Sequence, residues 1–194
     1  MLGTPRLDAG WFWDLGNGIG FAAIAGVLYL ATTSARPLHV TAHRNLGVVV
    51  LVVAALHALW FLAGDATVVH YVRLGAPAHM WAGVISFALL AVVTFHGLPE
   101  TRKRLHSSYD EFRNWHRWLG IGVIAFSAWH ILGARFYLSA WWQIAMFLLL
   151  CVAASYLPRT GKFNLALSTR ATNELIVASC VGTVLFAAIR NLVA

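Results

Sequence analysis

Nine histidines punctuate this chain of 194 residues, and four of them form a pattern. His57 follows His43 by 14 residues, and His130 follows His116 by 14 residues. The segment His43 to Leu59 reads HRNLGVVVLVVAALHAL, and the segment His116 to Leu132 reads HRWLGIGVIAFSAWHIL. Offset by 73 positions, they share H, R, L, G, V, A, H and L. This is an internal repeat of one histidine-bearing element. On an α-helix 14 residues turn through about 1400°, four turns less about 40°, so both rings leave nearly the same face about 21 Å apart. Two such helices, parallel and facing, would present two imidazole pairs at two levels: His43 with His116, and His57 with His130. Two neutral imidazoles on opposite sides of a flat macrocycle, in an apolar slot, are what bis-histidine ligation of a b-type haem iron requires. The pattern therefore predicts two haems b, with these four histidines as the iron ligands. A zinc site fits poorly, because zinc draws four ligands to one point.

The neighbours of these histidines suit the same chemistry. Gly47 and Gly120 each lie four residues after a first histidine, on its face, where a missing side chain would let a porphyrin lie close to the backbone. Arg44 and Arg117 each follow a first histidine; with Arg104 and Arg113 they are candidates to pair with haem propionates, or else they anchor that face of the protein. Arg73 and Arg135 are the candidates at the other level. Trp60, Trp81, Trp118 and Trp129 could pack on the macrocycles, although aromatic residues are common at membrane interfaces anyway. His39, His70, His79, His96 and His106 read as polar residues at interfaces or in loops. Alternatively, His70 or His79 at one level, and His96 or His106 at the other, help a redox partner dock.

The elements that must hold these residues are set by composition. Hydrophobic residues make up 60% of the chain and charged residues 11%, against about 45–50% and about 25% in soluble domains. That excess is too large for one core and needs lipid as solvent over much of the surface. Six apolar stretches approach the length of about 20 residues needed to span: roughly Gly16–Thr33, His39–Ala63, Ala78–Leu98, His116–Leu138, Ala140–Leu157 and Leu175–Val193. Arg190 makes the last the least secure. The runs are too uniformly apolar for barrel strands, which alternate. The expected fold is all-α: a polytopic bundle of about six transmembrane helices with a four-helix haem-binding core, forming a single domain over residues 1–194.

The net charge of +7 is unevenly spread. Arg6, Arg73, Arg135 and Arg190 lie on one side, and Arg36, Arg44, Arg102, Lys103, Arg104, Arg113, Arg117, Arg159, Lys162 and Arg170 on the other. The positive-inside rule puts the richer side in the cytoplasm and the N-terminus outside, in the cell (inner) membrane. Nucleic acid is not an expected partner, since no basic helix or aromatic platform is visible. Cys151 and Cys180 fall inside apolar runs and read as small core residues. The first fifteen residues show no apolar stretch with a cleavage site.

The run SSYDEFRNWH from Ser107 to His116, with the second histidine at His130, and HRNLG with its partner at His57, resemble the ferric-reductase-like transmembrane domain superfamily. That group includes NADPH oxidases, ferric reductases and the haem-binding membrane subunit of a bacterial methionine sulfoxide repair system. The resemblance covers about residues 16–157 and leaves the apolar run near 175–193 as an addition. It implies electrons entering at a cytoplasmic haem and leaving outside, in an oxidoreductase or its membrane electron-transfer subunit. Many relatives continue into a flavin and nicotinamide domain; after Leu157 this sequence has a short basic loop and another apolar run instead. The expected donor is then a cytoplasmic flavin reductase, free reduced flavin or quinol, with a periplasmic redox partner as one acceptor. Two rivals stay open. One is a cytochrome b-type, quinone-linked subunit of a respiratory complex; the other is a non-redox membrane scaffold.

Overall fold

A computed structural model describes residues 10–33, 40–64, 73–156 and 169–192. Regular structure among them is helical. The elements are α1 (Gly10–Thr32), α2 (Val40–Gly64), α3 (Ala78–His96), α4 (Pro99–Leu105), α5 (Tyr109–Ala134), α6 (Trp141–Tyr156) and α7 (Thr169–Leu192). In lipid every backbone polar group must be satisfied within its own segment, which a helix does and an open strand does not. Helices α1, α2, α3, α5 and α7 are long and apolar enough to cross a membrane. Helix α6 is apolar but has 16 residues, about 24 Å at about 1.5 Å per residue. The outward faces are apolar: Leu56, Leu59, Leu149 and Val152 are each more than half exposed. The chain is a multi-pass helical membrane protein.

The helices differ from the apolar runs at their polar ends, for local reasons. Helix α5 starts at Tyr109, well before His116, because Ser108 caps it: the Ser108 hydroxyl accepts the Glu111 N–H at 3.2 Å. The Glu111 carboxylate reaches back to the Ser107 N–H at 3.1 Å and the Ser107 hydroxyl at 2.9 Å. Such reciprocal bonds satisfy amides that a helix start leaves orphaned. The polar break after α3 holds the short helix α4, which opens on Pro99, where the missing N–H costs nothing. Helix α7 begins at Thr169, and Arg170 bonds Glu174 one turn on at 2.8 Å.

Two helix pairs organise the bundle. Helix α1 packs along α2, and α3 packs still more extensively along α5. Helix α7 lies against the other side of α1, while α6 bridges α1 and α5. Buried Ile24, Val27, Leu46, Val50, Leu90, Val93, Val123 and Ile124 form the shared core. Inside it the Ser86 hydroxyl donates to the Val123 carbonyl at 3.0 Å and lies 2.7 Å from the Ser127 hydroxyl, tying α3 to α5. Helices α2 and α5 make next to no direct backbone contact with each other. Directly packed helices approach to about 8–10 Å between axes; these two meet through side chains instead.

Candidate cofactor-binding site

What bridges the gap between α2 and α5 is imidazole. The rings of His43 and His116 lie 6.2 Å apart between centroids, and those of His57 and His130 lie 6.4 Å apart. Helices α2 and α5 therefore run parallel, and each pair occupies its own level. A metal–imidazole bond is about 2 Å and the ring nitrogen sits roughly 1 Å from its centroid, so two imidazoles sharing one metal ion in line would have centroids about 6 Å apart. Both pairs have that separation, and so do His79 with His130 at 6.4 Å and His96 with His116 at 6.3 Å, both on adjacent helices that pack directly. Among the described residues no group of three or more His, Cys, Asp and Glu side chains converges as a metal cage would.

The hydrogen bonds settle which nitrogen is free. His57 Nδ1 lies 2.8 Å from the Gly16 carbonyl, and His130 Nδ1 lies 2.9 Å from the His79 carbonyl. A carbonyl only accepts, so Nδ1 carries the proton in both rings and Nε2 keeps its lone pair. The Thr33 hydroxyl donates to the Leu30 carbonyl at 2.9 Å, so toward His43 Nδ1, at 3.3 Å, its oxygen accepts. Three of the four rings are thus held as the Nδ1–H tautomer, the arrangement that orients a ligating histidine from behind. His116 Nδ1 is buried without a hydrogen-bond partner among the described residues.

Helices α1 and α3 build the two seats alike. One turn after the Gly16 carbonyl stands Gly20, where an added Cβ would come within 2.8 Å of the His57 ring. One turn after the His79 carbonyl stands Gly83, where a Cβ would come within 2.8 Å of His130 Nδ1. In each half, a carbonyl fixes the proton and a glycine admits the ring. At Gly47 and Gly120 a Cβ would meet no atom within 4 Å, so open space lies beside both.

The other sequence-named residues are distributed as follows. His79 and His96 both sit on α3 beside α5: the His79 ring is 6.4 Å from His130, and the His96 ring stacks at 6.3 Å over His116. His96 and His106 touch through their Nε2 atoms, and His106 Nδ1 lies 3.6 Å from the Glu111 carboxylate. His39 and His70 lie outside the described residues. Arg44 and Arg117 form no ion pair with another described residue, whereas Arg113 pairs with Asp110 at 3.0 Å. Arg104 and Arg73 are exposed, and exposed Arg135 ends α5 with a positive φ of 52°. Trp60, Trp118 and Trp129 are at least a third exposed; the Trp60 ring stacks on Phe12 and its N–H donates to the Phe12 carbonyl at 2.9 Å. Sequence reasoning missed Gly16, Gly20, the His79 carbonyl and Gly83. Their one available signal is Gly20 and Gly83 themselves, each one turn beyond the carbonyl that holds the ring.

Searches against protein families, curated proteins and solved structures return no match to this chain.

Proposed function

We propose that this protein carries electrons across the membrane through two b-type haems, one held by His43 and His116 and the other by His57 and His130. The observation that carries the reading is the repetition of an imidazole pair at two levels on parallel helices, with both rings of the His57/His130 pair held by backbone carbonyls at Nδ1. The levels lie about 21 Å apart by helical rise, inside a hydrocarbon core of about 30 Å. By the distribution of Lys and Arg, the His43/His116 level is cytoplasmic and the His57/His130 level faces outside, with the N-terminus extracytoplasmic.

Haem supplies one-electron chemistry between ferrous and ferric iron. The chain supplies the rest. The carbonyls of Gly16 and His79 hold protons on Nδ1 and keep the Nε2 lone pairs available. Leu46, Val50, Val123 and Ile124 line the core between the levels and exclude water. Open space at Gly47 and Gly120 leaves room for a flat group against the backbone. Arg44 and Arg117, each next in sequence to a histidine of the cytoplasmic pair, are the candidates to pair with haem propionates. A cytoplasmic flavin reductase, reduced flavin or quinol feeds the inner level, and an extracytoplasmic acceptor drains the outer one. An electron leaving a cell that is negative inside gains about 2.3 kcal/mol per 100 mV over the full membrane. This is the part played by the membrane component of a ferric-reductase-like oxidoreductase.

The test is an optical redox titration of the purified protein with a pyridine haemochrome count. Two b-type steps and two haems per chain are expected. His57→Ala or His130→Ala should remove one haem and leave the other. A purified, folded protein with no Soret band ends the proposal.

A further inference from the structure

Helix α7 stands apart from the histidine pairs, yet it is fastened to α1 by the most buried charges in the described structure. Asp14 and Arg190 are 2% and 8% exposed. The Arg190 guanidinium donates to Asp14 Oδ1 at 2.9 Å, the Tyr137 hydroxyl donates to the same oxygen at 2.8 Å, and the Asn191 amide donates to Oδ2 at 2.9 Å. One turn along α1 the Thr183 hydroxyl donates to the Gly18 carbonyl at 3.3 Å, and a Cβ at Gly18 would come within 2.7 Å of Thr183. Positions 14 and 18 thus form the face of α1 that meets α7. Positions 16 and 20 lie about 200° round the helix from 14 and 18, and they form the face that holds His57. Helix α1 is a plate between the two. Its depth and rotation set the Gly16 carbonyl and the Gly20 seat, and α7 locks both through contacts that cannot slip without stranding a buried charge.

We infer that the Asp14–Arg190 ion pair and the Thr183–Gly18 contact are positioning elements for the His57/His130 site, so that α7 tunes the outer haem and not the inner one. This rests on the haem reading above. The pairing also gives Arg190 a role within an apolar helix: its charge is the fixed point against which α1 registers.

The experiment uses the full chain with both haems. Arg190→Met removes one buried charge, and Asp14→Asn with Arg190→Met removes both. Thr183→Val deletes the hydroxyl bond at nearly constant volume and keeps every charge paired. Haem retention is titrated at each level, and the ferric haem electron paramagnetic resonance signal, which responds to imidazole orientation, is recorded. Arg190→Met should weaken haem retention at the outer level by about 10- to 100-fold, the range for losing a partner that orients a ligand, with the inner signal unmoved. The double variant should recover part of that loss. Thr183→Val should shift the outer signal alone, and it decides the matter if Arg190→Met does not fold. Equal effects at both levels, or an outer signal identical to wild type in Thr183→Val, overturn the inference. A wild-type protein without two haems overturns the haem reading instead.

Discussion

Gly83→Ala probes how the outer site is built, because its consequence can be worked from distances. The new methyl carbon would lie 2.8 Å from His130 Nδ1 and 3.0 Å from Cε1. Carbon atoms are in best contact at about 3.5–4.0 Å, so the ring must retreat by several tenths of an ångström. It retreats from the His79 carbonyl that holds its proton at 2.9 Å. Overpacking of this kind costs about 1–3 kcal/mol, and loss of the hydrogen bond adds about 0.5–1.5 kcal/mol. Part of that strain is relieved by a tilt of the ring. A net loss of about 1.4–2.8 kcal/mol would weaken metal retention about 10- to 100-fold, as for other partners behind a ligand. The assay is haem retention at each level during stepwise extraction, with thermal melting of the apoprotein alongside. Outer haem should be lost first, the inner haem should hold, and Gly20→Ala should act in the same direction through His57. Unchanged outer retention in both variants would refute the seat-and-carbonyl account.

Gly47→Ala and Gly120→Ala make the complementary case: since a Cβ there meets nothing and Ala favours a helix interior over Gly by about 0.5–1 kcal/mol, apoprotein melting should hold or rise while haem binding falls, and normal haem content would show that the open space is not used by the macrocycle. Arg117→Ala should shift the midpoint potential of the inner haem only; movement of the outer step instead would reverse the depth order. Ser108→Ala removes the hydroxyl that caps α5 and should cost about 1 kcal/mol, read as a lowered melting temperature with both haems retained. His106→Ala removes the imidazole that touches His96 behind His116 and should alter the spectrum of the inner haem without removing it; loss of that haem would make His106 part of its binding set.

Much of this was legible along the chain because helical geometry is local. A 14-residue interval fixes face and rise whatever surrounds it, so His43, His57, His116 and His130 could be named from spacing alone. Uniform apolarity announced the spans for a similar reason, since lipid acts on each residue separately. Ends were harder: α5 reaches back to Tyr109 because Ser108 and Glu111 bond across it, and polar residues capable of that look like a loop when read singly. The basic run TRKRL likewise reads as a polar break and folds as α4.

The sequence by itself determined that the chain crosses lipid as helices and carries a repeated pair of histidines on two of them. Only the tertiary structure decided that the Gly16 and His79 carbonyls fix the tautomers, that Gly20 and Gly83 admit the rings, and that Asp14 meets Arg190. Those contacts join residues 41, 51 and 176 positions apart. A backbone carbonyl has no side-chain identity to betray it, and a buried charge has meaning only once its partner arrives from the far end of the chain.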